Sequence, residues 1–263
     1  MYTQQFENTM EKLIKRAQVS QRRIQSGNIH LYFRSISRQA IFYRDVEKLE
    51  FLKRCNSIAK KLNCKILAFV LMDNHVHLQL QTDNLNGFVL SLLRGYVKWY
   101  NRLNGISGKL FTTPFGSSVK YSKESLVESV LYILCNPVKA GMVLTPKDYK
   151  WSSFKFHYQN YRNPLKKIIE VDTTLLNSIY KSKCEFDKAV EYYYHDINKI
   201  YDRKIDVWRP EIYTKLWENL NAKLNGRSIY SIEIEEKIKI ARQLQAETGA
   251  TFNQVTSLTQ LNF

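Results

Sequence analysis

Ile66-Leu67-Ala68-Phe69-Val70-Leu71-Met72-Asp73-Asn74-His75-Val76-His77-Leu78-Gln79-Leu80 is the stretch whose reading decides the fold. Its first six residues are a continuous apolar run, the pattern of a strand covered on both faces. Met72-Asp73-Asn74 suits a tight turn, since Asp and Asn tolerate turn backbone and bond to it locally. The chain then alternates from His75 to Gln81, which predicts a β-hairpin. Side chains on a strand repeat every two residues, so His75 and His77 share one face while Val76 points to the other. Two imidazoles on one face can grip one metal ion, and the chain has only five histidines to place.

Working outward, the neighbours of this hairpin complete a sheet. Upstream, Ile29 to Ile36 alternates as a strand and residues 45–62 follow a helical period, with Val46, Leu49, Leu52, Ile58 and Leu62 as apolar positions and Asp45 as N-cap. Downstream, a helix is expected from about Leu85 to Leu103, ended by Asn104-Gly105. Phe115 to Tyr121 reads as a further strand, and residues 123–136 as a helix capped by Ser122 and stopped by Pro137. The order strand–helix–strand–strand–helix–strand predicts an α+β, ferredoxin-like antiparallel sheet with helices on one side and a sheet face free for a site.

The last of these helices has two unlike faces. Leu126, Val127, Val130, Leu131 and Leu134 form an apolar stripe, while Ser125, Glu128, Ser129, Tyr132 and Asn136 occupy the other side. Tyr132 and Asn136 are four apart, so a phenol and an amide are presented one turn from each other.

Composition narrows the partner. The chain of 263 residues carries a net charge of +16. Residues 1–150 contribute +13 and residues 151–263 only +3. The excess therefore sits with the histidines, and it points to a polyanion, nucleic acid first. No apolar run approaches the roughly 20 residues of a membrane span, and the N-terminal stretch has no signal-peptide character. Cys55, Cys64, Cys135 and Cys184 show no paired spacing, which predicts reduced thiols in a cytoplasmic protein rather than a zinc ribbon or a disulfide framework.

The order and spacing of these motifs resemble the HUH single-tyrosine transposases, most of all the REP-associated tyrosine transposases. The resemblance rests on His75-Val76-His77 after an apolar strand and on Tyr132-Ile133-Leu134-Cys135-Asn136-Pro137-Val138-Lys139-Ala140-Gly141. Gly108-Lys109-Leu110-Phe111 and Asp148-Tyr149-Lys150-Trp151-Ser152-Ser153-Phe154 match its texture, and it covers residues 28–158. It implies an HUH nuclease core in which His75, His77 and Asn136 hold Mg²⁺ or Mn²⁺ and Tyr132 is the nucleophile. The implied activity is that of a metal-dependent endonuclease and strand transferase acting on single-stranded or hairpin DNA through a 5′-phosphotyrosine bond. The implied setting is the bacterial cytoplasm, associated with the nucleoid, with no membrane partner and with a homodimer left open.

The chain departs from the family at Ser35-Ile36-Ser37-Arg38-Gln39 and at Thr113-Pro114-Phe115-Gly116, where basic residues are usual. This keeps an alternative open, a non-catalytic or domesticated hairpin-binding protein on the same fold. A replication or plasmid-relaxation initiator shares the chemistry but usually adds a second tyrosine or a helicase domain.

For DNA contacts the sequence offers Arg34 on the first strand and Arg94, Lys98 and Arg102 on the second long helix. Lys98-Trp99-Tyr100 there interleaves charge with aromatics as single-strand binders do. Tyr121 is the runner-up nucleophile. Glu128 reads as a solvated charge, Cys135 as a packing residue, and His30, His157 and His195 as ordinary structural or surface residues.

Three segments are expected: a helical extension over 1–27, with its helix at 4–25; the nuclease domain over 28–158; and a mainly helical accessory region over 159–263. The accessory region shows helices near 186–200, 210–224 and 232–247, with Pro210 in a first turn. Residues 238–255 resemble the first two helices of a helix-turn-helix without a recognition helix.

Overall fold

The computed structural model describes residues 25–157, 163–201 and 208–261. The helix expected over 4–25 lies outside the described residues but for Gln25, and so does the side chain of His195.

Four strands form one antiparallel sheet: β1 (Gly27–Arg34), β2 (Lys65–Leu71), β3 (His75–Thr82) and β4 (Gly116–Val119), in the order β2-β3-β1-β4. Helix α1 (Asp45–Lys61) joins β1 to β2, and α2 (Leu85–Asn104) joins β3 to β4. This is the expected split βαβ arrangement, in which β3 lies between β1 and its sequence successor β2. The hairpin turn is closed by Met72 N–H donating to the His75 carbonyl at 2.8 Å.

Register sorts the side chains. β1 pairs with β3 so that His30 faces Gln79, Tyr32 faces His77 and Arg34 faces His75. The odd residues Ile29, Leu31 and Phe33 are buried with Val76, Leu78 and Leu80 on the opposite face, under α1 and α2. Phe51 of α1 and Tyr96 of α2 lie 5.0 Å apart there, and Phe51 is 6.5 Å from Phe33.

The first helix begins one residue earlier than Asp45 would allow as N-cap. Arg44 takes the cap, and the Glu47 carboxylate accepts the N–H groups of Tyr43 and Arg44. Satisfying those orphan donors turns Glu47 inward, so the buried stripe is Phe51, Leu52, Cys55 and Ala59 while Val46 is left exposed.

Helix α3 (Lys123–Lys139) starts at the expected Ser122 cap but does not stop at Pro137. Proline's fixed φ is helical; its missing donor and the clash of its ring with the carbonyl four residues back are what oppose the helix. Near the C-terminus that loss is confined to one bond, and Ala140 and Met142 still donate to the carbonyls of Asn136 and Pro137. The extra turn is what brings Lys139 beside Tyr132.

Beyond the sheet unit, α4 (Thr174–Ile179) and α5 (Lys183–Tyr201) add Leu176, Phe186 and Val190 to the main core, with α5 packed on α3. Cys135 is buried in that contact, as a packing residue should be. Helices α6 (Pro210–Leu224), α7 (Ile234–Thr248) and α8 (Phe252–Thr259) gather round a second apolar cluster of Leu216, Leu220, Leu244, Val255 and Leu258. Gly249 in left-handed backbone ends α7, and Thr251 caps α8.

The second cluster is stitched to the first. Ala40 N–H donates to the Ser257 carbonyl, Tyr43 Oη to the Leu258 carbonyl, and Gln260 Nε2 to the Ala40 carbonyl. Asp73, in the hairpin turn, accepts from Tyr213 Oη at 2.9 Å and Trp217 Nε1 at 3.2 Å, with Lys48 Nζ at 3.5 Å. Among the described residues no helix is long and apolar enough to cross a membrane.

Candidate active site

Helix α3 covers the β2–β3 half of the second sheet face and leaves the β1–β4 half open. The result is a cleft of about 1140 Å³, floored by His30, Tyr32, Arg34, His75 and His77 and walled by Tyr132, Asn136 and Lys139. Three cations, Arg34, Lys120 and Lys139, line it against one acid, Glu128.

Tyr132 lies directly against the histidines of its own chain. Its ring centroid is 5.7 Å from His77, edge to face, and 5.8 Å from His30. Lys139 Nζ sits 4.8 Å over the same ring. Tyr121, by contrast, is 93% exposed beyond the end of β4 and does not line the cleft.

Hydrogen bonds fix which nitrogen of His75 faces inward. Asn74 Nδ2 donates to the Arg38 carbonyl at 2.7 Å, which turns Asn74 Oδ1 toward His75 Nδ1 at 2.6 Å. An amide oxygen only accepts, so Nδ1 carries the proton and Nε2 keeps its lone pair. That lone pair points at Asn136 Oδ1, 3.5 Å away. Two lone pairs facing each other are a place a cation could bridge, and Asn136 Nδ2 is buried without a partner.

All three imidazoles are neutral near pH 7. Burial pushes His75 down to about 4, with Arg34 adding to it and the Asn136 contact opposing it. Burial likewise lowers His30 to about 4, helped by Lys120, and holds His77 well below the usual range, helped by His75 and His30. A neutral imidazole is the form that ligates metal. Among the described residues no three His, Cys, Asp or Glu side chains are placed to hold a metal ion by themselves. The donor set on offer is two imidazoles and one amide oxygen, which suits Mn²⁺ or Mg²⁺ with coordination positions to spare.

Of the DNA contacts read from sequence, Arg34 lines the cleft. Arg94, Lys98 and Arg102 lie along the exposed side of α2, across the sheet from it, and Tyr100 beside them is buried in the core.

Several cleft residues were not singled out in the sequence. His30, an ordinary residue by sequence, has its Nε2 2.9 Å from His77 Nδ1. Tyr32 is half-exposed, its ring lying over Gly116, where any Cβ would collide with it. Ser129 is buried and donates to Gln79 Oε1 at 2.7 Å, tying α3 to β3. Trp208, ahead of α6, reaches the cleft and is anchored by its N–H to the Ala140 carbonyl. The alternation on β1 was the available signal for His30 and Tyr32. Trp208 had none.

The antiparallel sheet thus runs in ferredoxin order, with a histidine pair on a central strand and a tyrosine helix across it. Residues 23–118 match the family model described as "Transposase IS200 like". The match ends before α3, so Tyr132 and Asn136 are placed by the fold and not by the family model. Among solved structures the chain is similar to a REP-associated tyrosine transposase bound to a REP hairpin, at 19% identity and a TM-score of 0.43, over 57% of this chain and 89% of that one. No curated protein matches the chain significantly.

Proposed function

We propose that the chain is a metal-dependent single-strand DNA endonuclease and strand transferase, with hairpin DNA as its substrate. The observation that carries this reading is the contact of Tyr132 with His77, one of two neutral histidines side by side on β3, with Asn136 one helical turn along from Tyr132.

In this reading His75 Nε2, His77 and Asn136 Oδ1 hold Mg²⁺ or Mn²⁺. When bound there, a divalent ion would supply a Lewis acid for a non-bridging phosphate oxygen. Tyr132 Oη attacks phosphorus in line; the bond to the 3′-oxygen breaks, and a 5′-phosphotyrosine and a free 3′-hydroxyl result. The energy of the broken linkage is kept in the new ester, so rejoining needs no nucleotide cofactor. Lys139 sets positive charge beside the attacking ring, and Arg34 and Lys120 receive the flanking backbone. Tyr32 on Gly116 offers a flat, half-exposed face for an unstacked base. The apolar edge Pro114-Phe115-Gly116 completes that wall.

The test is a labelled hairpin oligonucleotide with a single-stranded flank, incubated with Mn²⁺ or Mg²⁺ and run on a denaturing gel. A protein–DNA adduct is expected, and Tyr132→Phe removes it while DNA binding persists. An undiminished adduct with Tyr132→Phe sinks the assignment. The second reading, a hairpin binder without catalysis, draws on the uncharged 113–116 stretch and predicts binding with no adduct for the unaltered chain.

A further inference from the structure

Within that reading of the site, we infer that His30 is a positioning residue. It accepts the Nδ1–H of His77 and so reserves His77 Nε2 for the metal.

A ligating imidazole must present one lone pair and dispose of the proton on its other nitrogen. His75 does this through Asn74, held in turn by the Arg38 carbonyl. His77 has no comparable backbone or amide partner on its Nδ1. What lies there is His30 Nε2, at 2.9 Å. The two rings come from neighbouring strands, with His77 on β3 set opposite Tyr32 of β1, so the meeting is diagonal and fixed by register. The rings are tilted by 39° with centroids 5.1 Å apart, so neither is stacked flat on the other.

An imidazole pair at this distance shares one proton, and either nitrogen can own it. Ligation through His77 Nε2 requires that His77 own it, which makes His30 the acceptor through Nε2 and places its own proton on Nδ1. His30 then cannot use Nε2 as a ligand itself. His30 also touches the Tyr132 ring at a centroid distance of 5.8 Å, so one side chain braces a ligand and the nucleophile together.

The experiment is a titration of the metal-free full chain with Mn²⁺, read by calorimetry, for the unaltered protein, His30→Phe, His30→Gln and His75→Ala. Phenylalanine keeps the ring volume and removes the acceptor; glutamine returns an acceptor oxygen close to the position of Nε2. Losing an outer partner of a ligating histidine lowers metal affinity on the order of 10–100-fold. His30→Phe is expected to show that loss and His30→Gln to recover most of it. Long-range ¹H–¹⁵N spectra of the metal-free protein should show His77 protonated on Nδ1.

Full affinity in His30→Phe, with affinity lost in His75→Ala, overturns the role of His30 and leaves the site standing. Equal losses in His30→Phe and His30→Gln, both with native spectra, overturn it as well. Unchanged affinity in His75→Ala overturns the metal site itself, and the role of His30 with it.

Discussion

A buried imidazole resists protonation, and that resistance is felt as a pH dependence of folding. His157 is 1% exposed, its ring tilted against Phe186 at 5.7 Å, and pushed down to about 3 by burial, with Lys166 adding to it. His30 and His75 are lowered to about 4. Between about 6.5 and these values the unfolded chain takes up protons that the folded chain refuses. Stability is therefore full above about 6.5 and falls as the pH drops toward 4, by up to on the order of 3 kcal/mol for each such imidazole. Calorimetric melts of the metal-free protein between pH 7 and 4 should show a steady decline in Tm. A flat profile, or a rise on acidification, contradicts the buried neutral state.

Charge at single positions divides by face. Arg34 floors the cleft, so Arg34→Ala should weaken binding of a short single strand and reduce the slope of log K against log salt by about 0.7. Alanine at Arg94, Lys98 and Arg102 together should leave such a strand unaffected, because α2 lies across the sheet. If those three are DNA contacts, the loss will appear only with a duplex long enough to reach round the sheet edge. Fluorescence anisotropy with a short and a long substrate separates the cases.

At the scale of elements, the β2–β3 hairpin depends on one carboxylate. Asp73 is 8% exposed and takes hydrogen bonds from Tyr213 and Trp217 while facing Lys48. Asp73→Ala strands a buried ammonium and two donors, and should cost about 3 kcal/mol. Tyr213→Phe removes one donor and should cost about 1 kcal/mol. Urea unfolding of the two variants gives both values; equal, negligible shifts would mean the hairpin does not lean on α6.

The same hairpin was legible from the sequence because its signals are local: an apolar run, a turn and an alternation. Asn104-Gly105 and Ser122 were legible for the same reason, each being a cap formed within a few residues. Register was not. Whether His30 meets His77 depends on the offset between β1 and β3, and one residue of slip would turn His30 away. Pro137 misled because a proline in a last turn forfeits one bond and not the helix. Trp208 joins the cleft through contacts far apart in sequence, which no local pattern carries.

For the whole molecule, two apolar clusters share one seam. Tyr43, Glu47, Asn104 and Ser228 run along it: Arg44 bridges Glu47 and Asn104, and Ser228 Oγ donates to Asn104. Helices α6 to α8 are therefore a buttress of the sheet unit as well as a unit with a core of their own. Within the segment 238–255, α7 ends at Gly249 and α8 starts after its Thr251 cap. Its α8 end is turned to Ala40 and Tyr43, where it serves packing.

The clamp on Asp73 also has a place in time. Its donors Tyr213 and Trp217 lie 140 and 144 residues further along the chain. At about 5–20 residues per second of synthesis, the hairpin waits on the order of ten seconds after its own emergence before they are made. A half-made chain thus holds the histidine strand without its brace, and the cleft also lacks the wall that Trp208 supplies. On the proposed reading, competence to cut DNA arrives with the completed chain and not while the ribosome is still at work.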